Sequence, residues 1–238
     1  MDTIDAMTTQ PKPTADRPLL GQTLLVVEDS LYACEALRLM ALRSGARLRR
    51  ADSLATARKH LAVYRPSVII VDVGLPDGSG LPLIGALAGT SPRIDVILGT
   101  SADDTAAPAV MGAGADGFLA KPVDSLGAFQ QAILTHLPAG QRPPGLRSVA
   151  RDRIAPDRIA LHDDLEQVAA ALRADPGEGE VEYLARFVEG IARSVPDPDL
   201  QGAARALRRA RASGEPFSPE IARLSLVVGD RLATRKPV

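Results

Sequence analysis

Four short apolar runs punctuate the first half of the chain, and each stops abruptly at polar or turn-forming residues. Leu24-Leu25-Val26-Val27 runs into Glu28-Asp29-Ser30. Val68-Ile69-Ile70-Val71 runs into Asp72, then Gly74, Pro76, Asp77 and Gly78. Val96-Ile97-Leu98 ends at Gly99-Thr100-Ser101, and the weaker Phe118-Leu119-Ala120 ends at Lys121-Pro122. Such continuous runs are buried on both faces, the pattern of a parallel sheet covered by helices. Arg47 to Ala51 fits a further short strand, second in chain order.

Helical patterns lie between the runs. Residues 30–44 put Leu31, Cys34, Leu37 and Ala41 on one stripe before Gly45 stops the helix. Residues 53–63, 80–89, 103–113 and 124–136 complete the alternation. Strand–helix alternation means βαβ units with right-handed crossovers. The expected fold over residues 22–138 is therefore α/β, a doubly wound five-stranded parallel sheet. Residues 1–21, with three prolines and no periodicity, are expected to be a flexible leader.

In such a sheet the carboxyl ends of the strands share one edge, where sites form. That edge gathers Glu28, Asp29, Asp72, Thr100 and Lys121. Crowded carboxylates repel one another, so a divalent cation or a proton must offset them. Oxygen-only ligands suit Mg2+, and a lone lysine offers a point charge to a phosphate. These parts suit phosphoryl transfer to a carboxylate, where positioning, a metal and a cation do most of the chemistry. Taken alone, Asp72 reads equally well as a strand-end carboxylate capping a turn; its four companions favour the chemical reading.

LLVVEDS at 24–30, VIIVDVGLPDGSG at 68–80, ILGTSADD at 97–104 and GADGFLAKPVD at 114–124 resemble the receiver domain of two-component response regulators. The resemblance implies a flavodoxin-like receiver. It implies that Asp72 accepts a phosphoryl group from a histidine kinase or a histidine phosphotransfer protein. By the same resemblance Asp29 ligates Mg2+ directly, Glu28 acts mainly through water, and the Gly74 backbone carbonyl completes the protein ligands. Thr100 and Lys121 would bond the phosphoryl oxygens, Phe118 would be the switch aromatic, and Lys121-Pro122 would be a cis peptide. The chain is then a signalling phospho-acceptor rather than an enzyme.

Some positions depart from the family's pattern. Gly99 extends the end of its strand, and the strand register favours Thr100 over Ser101. The following helix holds Pro108 and Gly112, with Gly114 beyond it, and should be weak. Gly74 and Ala102 stand where some family members carry polar side chains that position the hydrolytic water, which implies a longer-lived phosphate.

Residues 139–157 are rich in Pro, Gly and Arg and read as a linker. Residues 158–238 carry four helical patterns and no strand signal, a second, smaller all-α domain. Leu161, Leu165, Val168 and Leu172 step by 4, 3 and 4 along the first. Asp175-Pro176-Gly177, Pro196-Asp197-Pro198 and Gly214-Glu215-Pro216 break the chain between helices. Many apolar positions are Ala, so the unit buries little alone and needs a partner: its receiver, a second copy in a homodimer, or a target protein.

Three functions compete for this half. The first is an output or dimerisation module working on a downstream protein target. The second is DNA binding by an unfamiliar domain, for which Arg205, Arg208, Arg209 and Arg211 form a basic helix. Residues 140–238 nonetheless hold 16 basic and 15 acidic residues, which lacks the footprint of a duplex binder. These arginines read equally as a solvated face opposite Ala203, Ala204 and Leu207. The third is a phosphorelay through His162, which otherwise reads as a half-exposed helix residue. His60 and His136 have no partner motif, and Cys34 reads as core.

Composition excludes other classes. The 28 basic and 29 acidic residues rule out a uniformly basic nucleic-acid coat. One cysteine makes no internal disulfide, and with three histidines it leaves little for a thiolate zinc site. No apolar run approaches the ~18 residues of a membrane span. The first residues carry acids where a secretion signal wants basic groups, so a cytoplasmic location is expected.

Overall fold

A computed structural model describes residues 12–145, 151–174, 176–195, 197–214 and 216–234. The strands are β1 (Thr23–Val27), β2 (Arg47–Ala51), β3 (Val68–Asp72), β4 (Val96–Ser101) and β5 (Gly117–Ala120). They form one parallel sheet in the order β2-β1-β3-β4-β5. The helices between them are α1 (Leu31–Arg43), α2 (Leu54–Val63), α3 (Leu81–Ala88), α4 (Ala107–Gly112) and α5 (Leu126–Leu134).

The pleat explains the apolar runs. Leu24 and Val26 of β1 enter one core with α1 and α5, while Leu25 and Val27 enter a second with α2, α3 and α4. All four are buried, so the strand tolerates no polar position until it ends. The pairing register sets Asp72 beside Thr100 on neighbouring strands.

The helix after β4 is short. Asp104–Ala106 form a 3-10 turn and α4 adds six residues. Gly99 lies beneath it: a Cβ there would stand 2.4 Å from Val110 Cγ1.

The second domain consists of α6 (Arg158–Arg173), α7 (Glu178–Ser194), α8 (Pro198–Ser213) and α9 (Ser218–Thr234). Leu161, Leu165, Val168 and Leu172 form the buried stripe of α6, as their spacing predicts. They pack with Leu184, Val188, Leu207, Leu224 and Val228 from the other helices. Tyr32 of α1 packs against this same core, so the α/β domain closes it on one side.

Two boundary expectations need correction. Residues 1–11 of the leader lie outside the described residues, but Leu19 is fully buried in the α1-side core. Its amide donates to the Ser44 carbonyl at 2.9 Å. A Pro- and Thr-rich composition hides one apolar plug. Within the linker, residues 146–150 lie outside the described residues, yet residues 152–154 are anchored. Arg153 forms a β-bridge with Ser125, the Ile154 amide donates to the Asp124 carbonyl at 2.8 Å, and Ile154 is buried in the α1-side core. Asp175, Pro196 and Glu215 of the expected breaks also lie outside the described residues. No helix among the described residues is long and apolar enough to cross a membrane.

Candidate functional site

Glu28 and Asp29 follow β1, Asp72 ends β3, Thr100 lies in β4 and Lys121 follows β5. Parallel strands bring these ends to one edge, and the side chains meet there. Carboxylate oxygens of Glu28, Asp29 and Asp72 lie within 4.8 Å of one another, and all three residues are buried. Lys121 Nζ lies 2.6 Å from Glu28 Oε2 and 2.6 Å from Asp72 Oδ2. Asp72 Oδ1 accepts the Gly74 amide at 3.1 Å, which fixes the carboxylate against the turn after β3. The Thr100 hydroxyl donates to the Leu119 carbonyl at 2.7 Å. Phe118 pairs with Gly99 in the register and is half-buried against the α2–α4 side. The Lys121-Pro122 peptide is cis.

The backbone around the acids is held from the neighbouring strand. Arg50 of β2 donates Nε to the Glu28 carbonyl at 3.0 Å and its guanidinium also binds the Asp29 carbonyl. Gly80 permits the return of the chain under Asp72. A Cβ at Gly80 would stand 2.1 Å from the Asp72 carbonyl oxygen.

Three carboxylates against one ammonium leave excess negative charge in a buried place. Burial pushes Glu28 up to about 8, with Lys121 opposing and Asp72 and Asp29 adding to the rise. Burial likewise lifts Asp29 to about 6, against a hydrogen bond from Tyr183 and the charge of Lys121. Burial alone would lower the Lys121 ammonium, but Asp72 and Glu28 outweigh it and raise it. The protein's own cation therefore does not satisfy its acids. A cluster of hard oxygen donors with unmet charge fits a small divalent ion.

The helical domain sits on this edge, which the sequence did not reveal. Tyr183 of α7 donates its hydroxyl hydrogen to Asp29 Oδ2. Arg193, also on α7, donates to the Ala102 carbonyl in the loop after β4. Asp164 of α6 accepts from the Ser30 hydroxyl at 2.8 Å and from the Leu31 and Tyr32 amides at 2.8 and 3.1 Å. A cavity of about 500 Å³ remains between the domains, lined by Asp29, Asp72, Gly74 and Lys121 on one side and by Arg186 and Arg208 on the other.

Of the other candidates, Arg208 and Arg211 line this cavity, and His162, Arg205 and Cys34 do not. His162 Nε2 is 3.3 Å from Glu166 Oε1 on its own helix, and it does not line the cavity with Asp72. Arg205 and Arg208 lie 3.2 and 2.8 Å from the buried Glu189 carboxylate, and Arg211 lies 2.9 Å from Glu178. Ala203, Ala204 and Leu207 of α8 are buried, and Arg208 and Arg211 lie one turn beyond Ala204 and Leu207, so they border the buried stripe rather than oppose it. Cys34 is buried, and burial pushes its thiol up to about 12, as suits a core residue. Arg50, Asp164, Tyr183 and Arg193 are absent from the sequence-based site; the one available signal is that Asp164 falls three residues after Leu161 and four before Val168, an acid beside the apolar stripe of α6.

Residues 24–133 match the family described as response regulator receiver domain, and no family model matches the C-terminal helices. The KDP operon transcriptional regulatory protein KdpE of Escherichia coli is 30% identical over 158 residues, 66% of this chain and 65% of that protein. The transcriptional regulatory protein KdpE of Mycobacterium tuberculosis is 32% identical over 99 residues, 42% of this chain and 44% of that protein. The chain thus spans less than two thirds of either relative's length. The chemotaxis response regulator CheY4 of Vibrio cholerae, a solved structure, aligns with 49% of this chain and 98% of its own at 22% identity and a TM-score of 0.45.

Proposed function

We propose, on the premise that residues 24–133 belong to the response regulator receiver domain family, that the chain is a two-component response regulator with a helical output domain. Asp72 is the phospho-acceptor in this reading. One of its carboxylate oxygens attacks the phosphorus of a phosphohistidine on a histidine kinase or a histidine phosphotransfer protein. The P–N bond breaks, the imidazole leaves with the electron pair, and an acyl phosphate forms on Asp72. The transfer modifies the protein itself and turns over no separate substrate, so the chain acts as a signalling phospho-acceptor and not as an enzyme.

The convergence of Glu28, Asp29, Asp72 and Lys121 at one sheet edge carries this reading. Asp29, Glu28 and Asp72, with the Gly74 backbone carbonyl, would hold Mg2+; when bound, the ion neutralises charge on the phosphoryl oxygens. Lys121 orients and offsets the same charge. The Thr100 hydroxyl would exchange its Leu119 partner for a phosphoryl oxygen, and Phe118 would turn inward behind it. Charge-assisted bonds of this kind supply the roughly 5.5 kcal/mol that a nearly complete two-state shift requires.

We read the output as protein contact, by homodimerisation or on a downstream target. DNA binding is the second reading, because the relatives' printed names are those of transcriptional regulatory proteins. Against it, Arg205, Arg208 and Arg211 are already engaged by Glu189 and Glu178. The deciding experiment offers the full chain a phosphorylated histidine phosphotransfer protein with Mg2+ and follows intact mass. One phosphate on the native chain and none on Asp72→Asn is expected. Normal phosphorylation of Asp72→Asn means another acceptor. Solution mass with Mg2+ and beryllofluoride separates dimer from monomer output, and a salt-dependent, sequence-selective DNA shift would favour the second reading.

A further inference from the structure

We infer that docking of the helical domain and loading of the acceptor-site cation oppose each other, with α7 as the element that couples them. The inference rests on the acceptor-site reading above and concerns how that site is regulated.

Tyr183 spends its only donor hydrogen on Asp29, the acid read as the direct metal ligand. A cation on the same carboxylate withdraws the electron density that holds this hydrogen bond and presents positive charge to the phenol hydrogen. Arg193 stands ten residues further along α7, about 15 Å at the helical rise, and grips the Ala102 carbonyl two residues beyond Thr100. One rigid helix therefore spans the loop after β1 and the loop after β4, the two loops on either side of Asp72 in the sheet order. Weakening one grip loosens the other. Asp72 itself is only 6% exposed, and the cavity of about 500 Å³ that it lines is walled on its other side by α7 and α8, so the docked helices stand over the acceptor. Linkage then runs both ways: whatever favours the cation disfavours docking, and whatever undocks α7 favours the cation by the same factor.

Calorimetric titration of the full chain with Mg2+ alone tests this, beside Tyr183→Phe and Arg193→Gln. Tyr183→Phe is expected to bind Mg2+ about tenfold tighter, which is ~1.4 kcal/mol. Arg193→Gln is expected to bind at least about threefold tighter, ~0.65 kcal/mol, although its side chain touches no carboxylate of the acceptor cluster. In the native chain, saturating Mg2+ should raise amide hydrogen exchange in α7 and at Leu31–Ala33. Equal Mg2+ affinities, a gain confined to Tyr183→Phe, or unchanged exchange at saturation would overturn the antagonism and leave the acceptor reading intact. Failure of all three proteins to bind Mg2+ would sink the acceptor reading, and this inference with it.

Discussion

Asp164 Oδ2 accepts the Ser30 hydroxyl at 2.8 Å, and Ser30 Oγ in turn accepts the Ala33 amide at 3.0 Å. With the Leu31 and Tyr32 amides also on Asp164, a residue of the helical domain completes the N-terminal cap of a receiver helix. Those amides have no partner within the helix. Asp164→Ala is expected to cost about 2 kcal/mol, most of it as lost docking. Scanning calorimetry should then show two separated transitions where the native chain shows one. A single unshifted transition would mean that the cap does not join the domains.

Lys121→Ala removes the ammonium between Glu28 and Asp72. Breaking a buried pair by deleting one partner costs about 3–5 kcal/mol when the other charge stays ionised. Glu28 escapes part of that cost by binding a proton, because burial already lifts it to about 8. The loss measured by urea unfolding should therefore be larger at pH 8 than at pH 5. Even when Asp72 is phosphorylated, this variant should fail to show the change in hydrogen exchange that the native chain shows.

Glu28 and Asp29 set a pH dependence in metal-free protein. Both have folded-state values above their ordinary ones, about 8 and about 6. The folded state thus holds protons that the unfolded chain has released. Their contribution is fully present at acid pH and is lost as pH rises through the folded values. Stability should fall between about pH 4 and 8, by roughly 1.4 kcal/mol per pH unit for each proton held. Mg2+ requires the ionised carboxylates, so it should flatten this fall. Thermal melts at several pH values, with and without Mg2+, give the comparison; a slope unaffected by Mg2+ would count against these acids as its ligands.

Gly80→Ala places a methyl group 2.1 Å from the Asp72 carbonyl oxygen, where the neighbour is backbone and cannot swing aside. A cost of about 3 kcal/mol is expected, with Asp72 displaced from Lys121. The control Gly202→Ala, where a Cβ meets nothing within 4 Å, should be neutral or mildly stabilising. Urea denaturation compares the two.

The receiver was legible because its signals are local. Val68 to Val71 are apolar on both faces, and the break at Asp72 follows from the end of the strand. The register pairs Thr100 with Asp72. Tyr183 and Asp164 were not legible as site residues: Tyr183 stands among the polar positions of α7, and Asp164, buried beside the α6 stripe between Leu161 and Val168, carries no mark of the partner it meets. Their roles arise only when two surfaces meet, and no periodicity encodes that meeting. Ile154 was lost for a related reason. A single apolar residue among Pro, Gly and Arg does not move a composition average, yet it fills a place in the core.

The anchoring of residues 152–154 to α5 leaves only residues 155–157 between that pin and α6. Three residues reach at most about 11 Å. A released helical domain would stay on a very short leash, at an effective concentration in the millimolar range or above. Any outside protein seeking the vacated surface must out-compete a captive rival that never diffuses away, so recapture would be fast and the open form brief unless something else takes its place.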